Sequence, residues 1–343
     1  MRRQRRTTLA APPPDPFGER RRAARCERLR LLGGEFDFES DSARLMRLVR
    51  AAYARLPAHS LASVAPRFRV RLVLTPASGA AARAPREPPA VRPLASGALL
   101  CGAMDRANFV ALTPRQRAAL VVVAHEMLRY PYHVRYELLE FAVYVLAARA
   151  QRLVPLHAAC LGRDDTGVLL MGASGAGKST VVLHGLLAGL DFLAEDSVLV
   201  RPDGLLATGV ANFVHLRRDS LRFLARAERA TLLRRAVPIR RRSGVEKLEV
   251  DLRRLPCRLA RAPLTIRALV FLSARRARGR ALLAPLPRQA VLTRLAAGQR
   301  YAAQQPGWRA FRSRIARLPA YELRRGSHPL AAVEALRELL PQR

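Results

Sequence analysis

The stretch GVLLMGASGAGKST, residues 167–180, decides the fold. Residues 167–171 are an apolar run of strand length. They lead without a break into Gly172-Ala173-Ser174-Gly175-Ala176-Gly177-Lys178-Ser179, which satisfies every position of the phosphate-loop pattern G-x-x-x-x-G-K-[ST]. The residue types follow from the chemistry. Glycines let the backbone turn tightly and bring amide hydrogens against phosphate oxygens. The helix that follows, running through Thr180 to about residue 190, adds its positive N-terminal end. Lys178 reaches the β- and γ-phosphates as a compact charge on a flexible stem, and Ser179 offers its hydroxyl to Mg²⁺. Strand, loop and helix in this order predict an α/β unit that holds ATP.

Transfer or hydrolysis needs more than the loop. Residues 192–194 read as a short strand ending at Glu195-Asp196, and residues 197–201 extend again. One helix and one strand beyond the loop, this acidic pair is placed to face the γ-phosphate. Asp196 is then a metal ligand, directly or through water, and Glu195 takes the proton of an attacking hydroxyl or orients a water. His157 lies upstream at a strand end, and residues 158–171 separate it from the loop. His125-Glu126 begins like a zinc-protease helix, but position 129 is arginine and Tyr130-Pro131 breaks the helix. After residue 207, Asn212 and Arg217 are candidates for nucleotide or acceptor contacts. Arg240, Arg241, Arg242, Ser243, Gly244 and Lys247 form a basic loop able to close over phosphates.

The chain of 343 residues carries a net charge of +35 from 61 lysines and arginines against 26 acids. Only Lys178 and Lys247 are lysines. With alanine and proline also abundant, this reads as a coding bias that writes surface cations as arginine. A lysine retained outside the loop therefore marks Lys247 for the active site. The charge also suits an acidic partner. Aromatics make up 6% and do not interleave with the arginines, which argues against single-stranded nucleic acid. Cys26, Cys101, Cys160 and Cys257 are scattered, the pattern of reduced thiols in a cytoplasmic protein. No apolar run approaches the roughly 20 residues of a membrane span. The N-terminal MRRQRRTTLAAPPPDPF lacks the apolar core of a secretory signal.

Residues 1–30 carry ten arginines and the Pro-rich stretch 12–16, and read as a basic disordered tail. Residues 31–150 read as a small α/β N-terminal domain that recruits substrate. Within it lie strands at 35–41 and 67–74, a helix capped by Ser40 or Asp41, a flexible loop at 77–97, and helices at 114–128 and 136–149. Residues 151–343 form the phosphate-loop domain. Further strands are expected at 247–252 and 268–272, and a closing strand and helix within 320–340.

Residues 157–201, with the histidine, GVLLMGASGAGKST and FLAEDSVLV, resemble the catalytic domain of HPr kinase/phosphorylase and its divergent relatives. The resemblance implies a PEP carboxykinase-like nucleotide fold. It places Glu195 at the family's base position, Asp196 at its metal position, and His157 near the phosphates. The family usually has aspartate where this chain has Glu195. Its later Glu-Ile-Arg-Gly-type signature is absent, and GVANFVHLRRDSLRFL stands in its place, so an acceptor other than HPr is implied. The expectation is an ATP- and Mg²⁺-dependent kinase acting on a hydroxyl, a serine above all, of a peptide, protein or small molecule. The resemblance also leaves room for a homo-oligomer. The rival expectation is a nucleotide-gated binding protein with little kinase activity.

Overall fold

The computed structural model describes residues 25–76, 87–173, 175–277, 279 and 281–342. It is a mixed α/β structure with several sheets. A seven-stranded sheet comes first, in the order Arg25–Leu31, Gly34–Ser40, Arg67–Thr75, Ala118–Ala124, Phe109–Thr113, Leu99–Ala103, Arg92–Ser96. Its opening hairpin turns at Leu32 and Gly33, φ 52° and 82°, the two positive values that a tight two-residue hairpin requires. In the second strand alternation separates two faces. Phe36 and Phe38 point inward, with Phe36 stacked on Phe68 (centroids 4.4 Å apart) and Phe38 near Tyr53. Outward, Asp37, Glu35 and Glu39 meet Arg28, Arg30 and Arg69 at 2.5, 3.1 and 3.4 Å. Part of the arginine excess is thus absorbed in a solvent-facing ion ladder, where each pair contributes little stability.

Ser42 caps the helix Ala43–Tyr53 by accepting from the Leu45 amide. The Leu45, Met46, Val49, Ala52 and Tyr53 side of that helix is buried. A helical stretch follows the sheet. It runs through Pro131–His133, a π-helical turn at Val134–Leu139, and Glu140–Ala150.

The second sheet has nine strands. Its main path is Asp191–Ala194, Ala159–Arg163, Thr166–Met171, Leu264–Arg276, Leu206–Gly209, Val198–Arg201, Val154–Leu156. Ala320–Arg325 pairs in parallel with the far half of the long strand Leu264–Arg276, and Leu283–Pro285 lies beyond it. Helices Lys178–Leu187 and Pro329–Arg337 pack together through Val182, Leu186, Val333 and Leu336. A three-stranded sheet, Phe213–Leu216, Glu246–Asp251 and Ala236–Arg240, completes the architecture.

The core of the first sheet runs on into the second through Leu153, Leu199 and Val210. Polar ties reinforce this. His59 bridges Thr208 Oγ1 (2.7 Å) and the Ala260 carbonyl (3.0 Å). Arg253 donates to the carbonyls of Ala51 (2.6 Å) and Ala54 (2.9 Å) at the end of the first helix.

The first helix is capped by Ser42 and not by Ser40 or Asp41, and three further expectations change. Of the tail 1–30, residues 25–30 belong to an edge strand, because pairing with Gly34–Ser40 outweighs their charge; residues 1–24 lie outside the described set. In the loop 77–97, Arg92–Ser96 pairs antiparallel with Leu99–Ala103, and residues 77–86 lie outside the described set. The helix expected at 114–128 is the strand Ala118–Ala124 followed by a 3₁₀ turn, His125–Arg129. The three consecutive valines favour an extended backbone, and Val121 and Val123 fill the first core. No helix among the described residues is long and apolar enough to cross a membrane.

Candidate functional site

The buried strand Thr166–Met171 carries the chain to the loop. Gly175 and Gly177 take φ values of 81° and 102° with open space around them. Glycine is needed there for the left-handed backbone rather than for room. Gly172 is constrained by space, since a Cβ would meet the Ala176 Cβ at 3.1 Å. Ala173 accepts from the Ala176 amide at 3.1 Å. Ser174 lies outside the described residues. Gly177 precedes the helix Lys178–Leu187 and supplies no side-chain cap. The first-turn amides are therefore free of a capping side chain, the arrangement that receives an anion. Thr180 donates to Ser220 Oγ at 3.0 Å.

The two loop residues that follow Gly177 each meet one of the adjacent carboxylates. Lys178 is 8% exposed. Its Nζ lies 3.2 Å from Asp196 Oδ1 and 3.2 Å from His157 Nε2. His157 Nδ1 lies 3.2 Å from the Asp196 carbonyl, and Gln299 clamps the His157 backbone at both N–H (2.8 Å) and C=O (3.0 Å). Arg241 reaches the other oxygen of Asp196 at 3.3 Å. Burial pushes the Asp196 carboxyl up, but Lys178 and Arg241 outweigh it and hold the group well below the usual carboxylate range. Burial and the Lys178 charge together lower His157.

Ser179 donates its hydroxyl to Glu195 Oε1. Glu195 is 4% exposed. Its Oε2 accepts from the His215 backbone amide (2.8 Å) and faces His215 Nδ1 at 3.0 Å. On the far side of the ring, Nε2 lies 3.4 Å from Glu249 Oε1, and Arg135 Nη2 lies 2.6 Å from Glu249 Oε2. Burial lowers His215, but its bonds to Glu195 and Glu249 prevail and raise it. For Glu249, burial is overcome by His215 and Arg135, which lower it.

Asp196, by contrast, is open, with 39% of its side chain exposed. A cavity of about 270 Å³ bounded by His157, Asp196, Gln299, Arg300 and Tyr301 opens beside it. A larger cleft of about 1020 Å³ flanks Gly175, Gly177 and Thr180, with Phe223 and His328 in its wall. Lys247 lines a third cavity, of about 410 Å³, with Arg217 and Arg218. Burial and the charge of Arg241 lower its amine.

Of the remaining candidates, Arg217 pairs with Asp219 at 3.6 Å on the surface. Asn212 is buried and donates to the Ala52 carbonyl, and so serves packing. Arg240 and Arg242 turn away to Glu87 and Glu137, which leaves Arg241 for the site. Ser243 and Gly244 form the turn between strands, with Gly244 at φ 75°.

The Ser179 hydroxyl and the Glu195 and Asp196 carboxylates supply oxygen donors beside the loop, while the nitrogen His157 Nε2 faces Lys178. These oxygens suit Mg²⁺, which takes one or two carboxylates together with substrate phosphates. No group of three or more His, Cys, Asp or Glu among the described residues makes a metal cage of its own.

His215, Glu249, Arg135 and Gln299 were not singled out from the sequence. The available signal was His215 inside the otherwise apolar run FVHL and Glu249 between the apolar Leu248 and Val250.

No protein-family model matches the chain, and no curated protein sequence matches it. Among solved structures, the HPr(Ser) kinase/phosphatase from Coxiella burnetii is similar at 13% identity and a TM-score of 0.27, over 54% of this chain and 94% of that one.

Proposed function

We propose that this chain is an ATP- and Mg²⁺-dependent kinase that transfers the γ-phosphoryl group to a hydroxyl, serine above all, of a peptide, protein or small molecule. One observation carries the reading. Lys178 and Ser179, at the mouth of a phosphate loop, each meet one of two adjacent carboxylates, Asp196 and Glu195.

The geometry supports a division of labour opposite to the one implied by the family resemblance. Glu195 is buried against Ser179, the position of an acid that shares the metal with a loop hydroxyl. Asp196 is open to a cavity large enough for an acceptor side chain. Mg²⁺, when bound, neutralises charge on the β- and γ-phosphates. The free amides of the helix start cradle the phosphates, and Lys178 exchanges its partner Asp196 for them. Asp196 then orients the acceptor hydroxyl. The acceptor oxygen bonds to the γ-phosphorus as the bond from that phosphorus to the β,γ-bridging oxygen breaks. ADP leaves, and the hydroxyl proton passes to Asp196. A strong base is not needed, because phosphoryl transfer through a loose transition state depends chiefly on positioning. Lys247 and Arg241 supply further positive charge around the transferred group.

The test compares two variants in nucleotide binding and in transfer from labelled ATP. Asp196→Asn should abolish transfer and keep Mg²⁺-ATP affinity. Glu195→Gln should weaken Mg²⁺-dependent affinity as well. The reverse pattern would restore Glu195 as the base. ATP binding without any phosphorylated product would leave a nucleotide-gated binding protein.

A further inference from the structure

Four ionisable side chains outside the phosphate loop form one continuous buried row. Glu195, His215, Glu249 and Arg135 are 4%, 3%, 5% and 8% exposed. They come from different elements. Glu195 follows the strand Asp191–Ala194, His215 is on Phe213–Leu216, Glu249 is on Glu246–Asp251, and Arg135 is on the π-helical turn Val134–Leu139. His215 and Glu249 are direct cross-strand partners, which brings the imidazole and the carboxylate to one face. Arg135 is held in place by aromatic rings, with its guanidinium carbon 4.7 Å from the Phe213 centroid and 5.5 Å from that of Tyr136. The Tyr136 ring packs edge-on against His215, with centroids 5.0 Å apart.

Such a row is costly to bury. It survives only when every member meets an opposite partner, and apolar residues of similar volume would serve stability equally well. A purely structural role therefore leaves unexplained why the row ends on the carboxylate that takes the hydroxyl of the loop serine. Every polar end of the row is satisfied in sequence: Arg135 to Glu249, Glu249 to His215, His215 to Glu195 through both ring and backbone, Glu195 to Ser179. One oxygen of Glu195 is fixed by two donations from His215, which leaves the other aimed at Ser179. π-helical turns are uncommon and cluster at functional sites. This one sets Arg135 at the far end of the row.

Building on the nucleotide-binding reading above, we propose that Arg135, Glu249 and His215 are positioning residues that hold Glu195 against Ser179 and thereby build the metal side of the site. The helical stretch 131–150, contributed by the first part of the chain, is then a working part of the nucleotide site. Outer partners of this kind, which orient a ligand without touching the metal, typically matter roughly 10–100-fold for metal affinity.

The experiment measures ATP affinity of the full chain by calorimetry, once with excess Mg²⁺ and once with EDTA. The informative quantity is the gain in affinity that the metal confers. In Glu249→Gln, affinity in EDTA stays at the wild-type value, and the gain from Mg²⁺ falls by roughly 10–100-fold. Arg135→Lys keeps the charge but loses the planar fork, and retains more of the gain than Arg135→Met. The Arg135→Lys measurement decides the matter if Glu249→Gln does not fold. An unchanged gain in a folded variant, or equal losses with and without metal, would overturn the proposal and leave the row a packing feature. A wild-type chain that binds no ATP under either condition would remove the underlying reading, and this proposal with it. Normal wild-type binding with an unaltered Glu249→Gln gain would remove this proposal alone.

Discussion

Lys178 and Asp196 form an ion pair, Nζ to Oδ1 3.2 Å, at the open end of the phosphate loop. On the proposed reading, bound nucleotide would replace Asp196 as the anionic partner of Lys178, while Arg241, 3.3 Å from Asp196, would stay with the carboxylate.

That exchange gives Lys247 a definite expectation. Its amine lines a cavity beside Arg217 and Arg218 and senses the charges of Arg241 and Asp196. Lys247→Ala should slow transfer or weaken ATP binding by about tenfold, the worth of one charged contact of roughly 1.4 kcal/mol. Unchanged rate and affinity would make it an ordinary surface lysine.

Glu140 makes stability depend on pH. Burial pushes its carboxyl up to about 8, against the lowering charges of His215, Arg135 and Arg241 and the raising charge of Glu249. The folded state therefore keeps a proton that the unfolded chain releases above its ordinary value of about 4.3. Because the folded state binds more protons in this window, stability falls as pH rises from that value towards 8. Glu140→Gln should raise the melting temperature at pH 8 by ~2 °C or more and do less at pH 5. Equal shifts at both values, measured by calorimetry, would contradict this.

Arg253 holds the first helix to the second half of the chain. Its guanidinium bonds the Ala51 and Ala54 carbonyls and Asp251. Arg253→Ala removes these partly exposed contacts and should cost about 1–3 kcal/mol in denaturant unfolding. A loss below ~0.5 kcal/mol would show that water replaces the contacts.

How much of this was legible in the sequence depended on whether the signal was local. Strand, loop and helix around Lys178 were, because the pattern is contiguous and each position has one chemical reason. The pair Glu195-Asp196 was also found, since it ends a short strand. Which of the two turns under Ser179 and which faces the cavity was not legible, because it depends on the backbone path at the strand end. Likewise the basic loop at 240–242 was visible, yet only the structure separates Arg241 from its neighbours through their pairing with Glu87 and Glu137. Arg135, His215 and Glu249 are far apart in sequence and meet through cross-strand register and a helical turn, relations that no local spacing records. The segment 118–124 was misread because the polar residues before it mimic a helix start, whereas burial of its valines in a sheet decided the outcome.

The most direct measurement incubates the purified chain with γ-labelled ATP, Mg²⁺ and a lysate of its host organism, beside a Lys178→Ala control. The account predicts a labelled hydroxyl-bearing species that is absent from the control, whose mass identifies the class of acceptor. ATP bound by the wild-type chain with no labelled species in either sample would contradict a kinase and leave a nucleotide-gated binding protein.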